Sequence, residues 1–264
     1  MPTTRSPTCW ASSPDRRRAD DRDRCPLLDA HRCGHALGAF TVYDIEFTLA
    51  VLQAAQAVDV PVLIRAGSSG FDYAGEEVLG RVAKTMAEQA PVRVGVHLDH
   101  SRSLEEVRRC LDRGDTSVMV DGSHLPFAEN AAIASRAVAV AGPYGAWVEA
   151  ELGVIAGDED RTMPVSAAPG TDPQQAGRFV EESGVDALAV AIGNVHGMTT
   201  RPVTLDSDRL REIHDHTRAL TAYERTDDDL AAFTGAGVAA ATAVVTDRLQ
   251  FFSFTVNHNE SGPS

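Results

Sequence analysis

The chain has 264 residues, a hydrophobic content of 43% and a formal net charge of -14 at pH 7. A single α/β barrel typically uses about 250 residues, and this hydrophobic content is sufficient for one sizeable core. The negative charge argues against nucleic acid or an anionic membrane as a partner, and no apolar run reaches the roughly 18 residues of a membrane span. Anionic small molecules remain open as substrates, because a binding site can be locally positive.

Residues 1–26 differ in composition from the rest of the chain. The stretch 14–24, PDRRRADDRDR, is almost entirely charged and has too few apolar residues to pack. We expect a disordered or surface-lying segment here, and the lack of an apolar stretch argues against a secretory signal. A basic targeting tract is the alternative, which the interleaved aspartates weaken. Residues 27–264 are then expected to form one domain.

The four cysteines, Cys9, Cys25, Cys33 and Cys110, form no C-x-x-C pair. Three of them lie in or near the N-terminal segment, where a disulfide or a metal cluster is conceivable. Reduced thiols in a cytoplasmic protein are the simpler interpretation, so we expect a cytoplasmic location.

Short apolar runs alternate with amphipathic segments from Leu27 onward. The apolar runs predict strands at Ala36–Val42, Pro61–Arg65, Val92–Leu98, Ser117–Asp121, Ala146–Leu152, Ala187–Ala191, Ala219–Tyr223 and Val238–Val245. The amphipathic segments predict helices at Ile45–Ala57, Glu76–Gln89, Ser103–Asp112, Pro126–Ala141, Pro173–Ser183, Asp206–His214, Asp227–Phe233 and Thr246–Phe254. Eight such β-then-α units indicate an α/β fold of the (β/α)8 TIM-barrel type. An open doubly wound sheet is the alternative, but no G-x-G-x-x-G motif follows any predicted strand.

Local signals support several helix ends. Ser103 and Glu106 have the spacing of a capping box, and Asp172 precedes a proline suited to a first helical turn. Gly184 follows a helical segment where a left-handed stop is expected.

Two of the buried runs end in ionisable residues, which are costly to bury unless they are partnered or functional. One run ends at Asp99 and His100, and the other ends shortly before His196 and Gly197. Alternation along a strand puts His97 and Asp99 on the inward face, with His100 at the rim. A rim imidazole is a good metal ligand, and glycine lets backbone N–H groups approach an anion. A hydrogen-bonded cluster with a structural role fits the His97–His100 spacing equally well.

Further carboxylates follow two other strands. Asp121 ends a β-branched run, where it can equally form an Asx turn into the next helix. Glu149 and Glu151 share one face of a strand, and two inward carboxylates require cations or hydrogen-bond donors. The long acidic loop after them contains Glu159 and is either a functional lid or a solvated surface loop.

Six motifs stand collinearly between about Leu27 and about His214. They are GAFTVY (38–43), VHLDH (96–100), TSVMVDGSHLPF (116–127), VEAELG (148–153), TDP (171–173) and GVDALAVAIG (184–193). Together they resemble the class II, metal-dependent fructose-bisphosphate aldolase family, and most closely its tagatose-bisphosphate-aldolase-like branch.

The resemblance implies a TIM barrel and a divalent metal, usually zinc, with a monovalent cation as an optional addition. The implied metal ligands are His100 and His196, with Glu151 next to the metal. The implied reaction cleaves or forms a C–C bond in a ketose phosphate through a zinc-stabilised enediolate. A small sugar phosphate is the implied partner, and a homodimer or homotetramer the implied assembly.

The resemblance also implies catalytic and substrate-binding roles. Asp99 protonates the aldehyde oxygen during condensation, and Glu159 moves the proton at the ketose carbon. Gly197 contributes to phosphate binding, and Asp121 and Ser68 are the other residues implied in substrate binding.

The chain departs from the family pattern after about residue 215. The family has an HGGSG-like motif with a third metal histidine where residues 218–230 contain neither histidine nor glycine. Its phosphate motif on the eighth strand is replaced by AAATAVV at 239–245. We expect Tyr223, Glu224 or Arg225 at the end of the seventh strand, where an arginine can grip phosphate.

Two histidines near this region have a weak claim as replacement ligands. His214 and His216 lie at the end of the preceding predicted helix, and that end usually points away from the catalytic face.

Two classes of function follow from these observations. The surviving ionisable residues favour a metal-dependent aldolase with altered phosphate recognition. The missing motifs favour a catalytically impaired relative that acts as a binding or scaffold protein, or a decayed copy. Bound zinc separates the two, because only the enzyme requires it.

Overall fold

The computed structural model describes residues 26–27, 30, 37–155, 170–194, 205–217, 220–224 and 251–255. The strands are β1 (Leu37–Thr41), β2 (Val62–Gly67), β3 (Val94–Ser101), β4 (Ser117–Val120), β5 (Trp147–Leu152), β6 (Ala187–Val190), β7 (Leu220–Glu224) and β8 (Phe251–Thr255). The helices are α1 (Ile45–Ala57), α2 (Ser68–Ala74), α3 (Glu76–Gln89), α4 (Leu104–Arg113), α5 (Phe127–Ala141), α6 (Pro173–Ser183) and α7 (Ser207–Thr217).

All strands pair in parallel and in chain order, and β8 pairs with β1, so that these strands close into a ring. A helix follows each strand from β1 to β6. The predicted α/β class with a parallel sheet is therefore confirmed. Within the ranges that the structure describes no helix follows β7 or β8, so the full set of eight β/α units belongs with the proposals below.

Alternation along the strands separates an outer core from an inner one. The outer core joins the outward residues of β1–β6, such as Ile64 and Leu98, to the helices, with Phe179 of α6 fully buried. A smaller inner cluster contains Leu37, Leu63 and Met119. The inward faces of the same strands also carry buried polar residues, among them Arg65 and Glu149.

Most of the predicted helix ends are confirmed. Asp172 accepts a hydrogen bond from the Gln175 N–H at 2.8 Å, and Gly184 ends α6 with φ 72°. Ser103 accepts from the Glu106 N–H at 3.3 Å, but the Glu106 side chain does not complete the predicted capping box. It accepts hydrogen bonds from the Ser68 and Ser101 hydroxyls instead, because those donors face the same side of α4.

The prediction for the end of the chain is wrong. Residues 251–254 were assigned to the helix Thr246–Phe254, whereas Phe251–Thr255 is β8, paired with β1 and β7. The sequence FFSFT is rich in aromatic residues, which favour strands, and backbone partners on both sides stabilise the extended form. The predicted strand Val238–Val245 and helix Asp227–Phe233 lie outside the described residues, as do residues 1–25.

Among the described residues, no helix is both long and apolar enough to cross a bilayer.

Candidate metal centre

The backbone of β3 departs from regular geometry where its polar residues begin. The pairing of β3 with β4 shifts register between Leu98 and Ser101, and His100 has φ 47°. A positive φ is uncommon and strained for a residue with a Cβ, and such strain is concentrated at functional sites. Strict alternation would turn His100 away from the face that Asp99 shares. The irregularity instead lets both side chains reach the inside of the ring.

A buried polar group, which we call the inner network, lies inside the ring and consists of Arg65, His97, Asp99, Ser117 and Glu149. Arg65 donates to Asp99 Oδ1 at 3.0 Å, and the two side chains are only 3% and 2% exposed. His97 Nδ1 lies 2.9 Å from the Ser117 hydroxyl, and its Nε2 lies 3.8 Å from Glu149 Oε2. The inner network therefore supplies an internal partner for each of its charged groups.

Burial sets the protonation of two members of the inner network. Desolvation lowers the pKa of His97 to about 4, which keeps its imidazole neutral near pH 7. Desolvation, together with the charge of Asp99, raises the pKa of Glu149 to about 8, which favours its protonated form at pH 7. Arg65 pairs with Asp99, and burial favours the neutral forms of the other two ionisable members of the inner network.

A second group, which we call the rim cluster, lies at the carboxyl ends of the strands and consists of His100, Asp121 and Glu151. His100 Nδ1 lies 3.4 Å from Asp121 Oδ2 and 3.7 Å from Glu151 Oε2. One potential ligand atom from each residue lies within 4.8 Å of the other two. Asp121 and Glu151 are buried, whereas the side chain of His100 is 22% exposed.

The two carboxylate oxygens of Asp121 have different roles: one stabilises a turn, and the other faces the rim cluster. Its Oδ1 accepts from the N–H and the hydroxyl of Ser123, which is the Asx turn considered from the sequence. Its Oδ2 faces His100. Burial alone would raise the pKa of Asp121, but hydrogen bonding and charge from His100 and the bonds from Ser123 lower it well below its usual range. Asp121 is therefore a carboxylate at neutral pH.

The rim cluster fits a zinc ion in both size and donor chemistry. Zinc bonds to nitrogen and oxygen are about 2.0–2.2 Å, so tetrahedral ligands lie about 3.3–3.6 Å apart. The separations of 3.4 and 3.7 Å from His100 Nδ1 are close to that range. Two carboxylates face one imidazole here, and Arg102, whose side chain is 69% exposed, lies 3.9 Å from Asp121 Oδ2. A divalent cation would balance this arrangement.

The structure brings some of the sequence-predicted site residues together. His100, Glu151 and Asp121 form the rim cluster, and Asp99 adjoins it, with Oδ1 3.9 Å from His100 Nε2. Ser68 begins α2, and its hydroxyl bonds to Glu106 at 3.0 Å. The other predicted site residues, Glu159, His196 and Gly197, lie outside the described residues.

The two histidines of α7 do not belong to this group. His214 and His216 lie in the last turn of α7, and the His216 backbone oxygen packs 3.3 Å from the position of a Cβ built on Gly177 of α6. The His216 Nδ1–H donates to the Glu212 carbonyl within its own helix. They occupy the outer helical layer, as expected from the usual direction of such helices.

Sequence reasoning missed two residues that support the site. Arg65 is the buried partner of Asp99, and Asn130 of α5 donates from Nδ2 to the Glu151 carbonyl at 2.8 Å. Arg65 has a sequence signal, because a charged residue ends an apolar run at PVLIR. Asn130 has none, since a polar residue on an amphipathic helix is ordinarily exposed.

Comparison with known proteins agrees with this geometry. The model of the class II fructose-bisphosphate aldolase family matches residues 24–240. The chain belongs to the class II fructose-bisphosphate aldolase family.

Solved structures give the same assignment. The YdjI aldolase of Escherichia coli K12 is 30% identical with a TM-score of 0.70, over 87% of this chain and 79% of that one. A candidate fructose-1,6-bisphosphate aldolase from Coccidioides immitis is 30% identical with a TM-score of 0.71, over the same shares. Fructose-bisphosphate aldolase from Campylobacter jejuni, 21% identical over 87% of this chain and 74% of that one, has a TM-score of 0.64 and supports the fold alone.

Proposed function

We propose that this protein is a metal-dependent aldolase, an aldehyde-lyase that cleaves or forms a C–C bond in a ketose phosphate. The observation that carries the proposal is the rim cluster, in which His100, Asp121 and Glu151 present ligand atoms at spacings suited to one divalent ion. Membership of a family of aldolases supports the reaction class.

The metal is proposed to be zinc. His100 and Glu151 would hold it together with His196, and the position of Asp121 adds a carboxylate that sequence reasoning had assigned to substrate binding. When bound, zinc polarises the substrate ketone and stabilises the negative charge that develops after proton loss. A monovalent cation near the substrate phosphate is an optional part of the same proposal.

Asp99 is proposed to exchange a proton with the aldehyde oxygen. Its carboxylate is buried beside the rim cluster, and the bond from Arg65 fixes its orientation. A positioned acid–base group typically contributes about 10²–10⁴-fold to rate. Glu159 is proposed to move the proton at the ketose carbon, on the resemblance alone.

Phosphate recognition is proposed to differ from that of the family. Gly197 and Ser68 are the proposed substrate contacts, and Ser68 lies at the start of α2, directly after β2. The stretch 218–230 lacks the family's histidine and glycines, so fewer backbone N–H groups are available to an anion. We expect one zinc per chain, bound more weakly than a three-histidine site would bind it, and poor or undetectable activity on fructose or tagatose bisphosphate, so that the ketose phosphate cleaved is a different one.

Calorimetric zinc titration of the purified protein, combined with an aldol-cleavage assay on ketose phosphates, tests the proposal. Stoichiometric zinc and zinc-dependent cleavage of a ketose phosphate are the expected results. Absence of zinc binding at all concentrations would overturn it. Nanomolar zinc affinity with robust bisphosphate cleavage would overturn only the altered phosphate recognition.

A catalytically impaired relative, acting as a binding or scaffold protein, is the second candidate. The observation that favours it is the end of β7, where Tyr223 and Glu224 stand and the family has its third metal histidine. Sugar phosphate binding without zinc and without turnover would support this candidate over the enzyme.

Three broader features complete the proposal. The ring of strands is proposed to belong to a single-domain (β/α)8 barrel spanning residues 27–264. The buried, free thiol of Cys110 fits a reducing, cytoplasmic compartment. A homodimer or homotetramer is proposed from the resemblance, with no nucleic acid or membrane partner.

A further inference from the structure

The side chain of Asn130 connects the two carboxylate-bearing strands of the rim cluster. Asn130 lies in the first turns of α5 and is 1% exposed. Its Nδ2 donates to the backbone carbonyl of Glu151 at 2.8 Å. That carbonyl belongs to the residue whose carboxylate faces His100, so the Asn130 amide fixes β5 at the site itself.

The same amide packs against the backbone directly after Asp121. A Cβ built on Gly122 would lie 2.4 Å from Asn130 Oδ1, 3.0 Å from its Cγ and 3.1 Å from Cγ2 of Ile133. Real Cβ atoms do not come this close to other atoms, so only glycine fits at 122 while Asn130 keeps its place. One amide thus lies between the segments that carry Asp121 and Glu151.

Asn130 is buried in a way that packing alone does not explain. Its Oδ1 has no hydrogen-bond partner among the described residues, although it is inaccessible to solvent. Burying an amide oxygen in this way costs free energy that an apolar side chain would avoid. The cost is offset if the residue holds functional groups at a required separation.

We infer that Asn130 is a positioning residue of the metal centre, and that Gly122 is glycine in order to admit it. Asn130 touches neither metal nor substrate; it sets the distance between the Asp121 and Glu151 carboxylates. This inference rests on the proposed function, since it assigns Asn130 a role at the proposed zinc site. Loss of residues that orient metal ligands typically lowers metal affinity about 10–100-fold.

The test is a double-mutant cycle, with zinc alone as the probe and calorimetric affinity as the readout. Asn130→Ala and Gly122→Ala should each weaken zinc binding by about 10–100-fold. The double variant should bind zinc no more weakly than Asn130→Ala, because removing the amide removes the 2.4 Å clash and leaves only the Ile133 Cγ2 contact at 3.1 Å, which a small shift relieves. Asn130→Leu, which keeps the number of side-chain heavy atoms and removes the donor, serves if the alanine variant does not fold.

Gly142→Ala is the matched control. Gly142 ends the same helix with ordinary helical dihedrals, and a Cβ there would meet nothing within 4 Å. Its zinc affinity should equal that of the wild type. The unfolding temperature of each metal-free variant separates positioning from stability, since a purely structural Asn130 would lower that temperature and leave zinc affinity unchanged.

The outcomes separate the inference from the proposed function. Wild-type protein that binds zinc, with Asn130→Ala and Asn130→Leu binding equally well, would overturn the inference alone. Additive losses in the double variant would also overturn it, because the two sites would then act independently. Wild-type protein that binds no zinc would overturn the proposed function and, with it, the role of Asn130.

Discussion

The inner network and the rim cluster each contain a histidine, an aspartate and a glutamate, but they differ in how their charges are balanced. In the inner network, Arg65 faces Asp99 at 3.0 Å, and burial favours neutral forms of His97 and Glu149. In the rim cluster, two carboxylates face a single imidazole, His100. Burial of ionisable residues is therefore not the signal for a metal site. The better signal is the convergence of one imidazole and two carboxylates whose ligand atoms lie within 4.8 Å of one another.

The largest expected effect concerns the two histidines of β3. His100→Ala should lose stoichiometric zinc, because it removes the nitrogen ligand of the rim cluster. His97→Ala is its matched partner and should retain zinc, since His97 contacts Ser117 and Glu149 inside the ring. Metal analysis of both purified variants checks this. Equal loss of zinc in the two would mean that the inner network and the rim cluster act as one site.

The next effect concerns turnover without loss of metal. Asp99→Asn should lower the rate of ketose phosphate cleavage by about 10²–10⁴-fold, because it removes a group assigned to proton transfer. Zinc content should stay close to that of the wild type, since Asp99 Oδ1 lies 3.9 Å from His100 Nε2 and outside the rim cluster. Steady-state kinetics and metal analysis of one preparation give both quantities. Parallel loss of zinc and activity would show that Asp99 acts as a ligand.

A smaller effect concerns the pH dependence of stability in the metal-free protein. The folded-state pKa of Glu149 is raised from 4.5 to about 8, so the folded state holds its proton while the unfolded state releases it. The contribution of protonated Glu149 to the stability of the folded state is fully present below pH 4.5 and is lost as pH rises toward 8. The pKa of His97 is lowered from 6.5 to about 4. His97 therefore has the opposite effect, because the folded state loses stability as pH falls from 6.5 to 4.

The two contributions oppose each other between pH 4.5 and 6.5, and only that of Glu149 changes between pH 6.5 and 8. One unit of pKa shift corresponds to about 1.4 kcal/mol, so the free energy of unfolding should fall by about 2 kcal/mol across this window. Glu149→Gln should remove that fall. Urea unfolding of both proteins in chelator at a series of pH values measures it, and identical slopes would contradict the raised pKa of Glu149.

The smallest expected effect lies in the outer layer. His214→Ala and His216→Ala should leave zinc affinity unchanged, because both residues lie in the last turn of α7 and His216 packs against α6. Zinc titration of each variant is the measurement. A clear loss of affinity in either one would place a ligand where the structure shows helix packing.

Sequence periodicity predicted β3 to β6 and the adjoining helices to within a few residues, because buried apolar runs and capping residues are local signals. It missed α2, since SSGFDYA has two serines and a glycine and no helical apolar stripe. It also assigned residues 251–254 to a helix where β8 lies, because short apolar segments of helix and strand look alike when the partner strands are unknown.

The site was predictable as a list of residues but not as an arrangement. His100, Glu151 and Asp99 follow from strand ends and from the family motifs. Asp121 belongs to the rim cluster because β3 and β4 pair through Ser101 and Val120 after a register shift. A single sequence does not reveal that shift. The roles of Arg65 and Asn130 depend on contacts across 34 and 21 positions of the chain.

The backbone at His100 has an evolutionary consequence. A left-handed residue with a full side chain is less stable there than glycine would be, because glycine adopts φ 47° without steric cost. Selection for heat resistance alone would therefore favour replacing the very residue that supplies the imidazole. The choice of histidine here is therefore better explained by the imidazole that it supplies to the rim cluster than by the stability of the backbone.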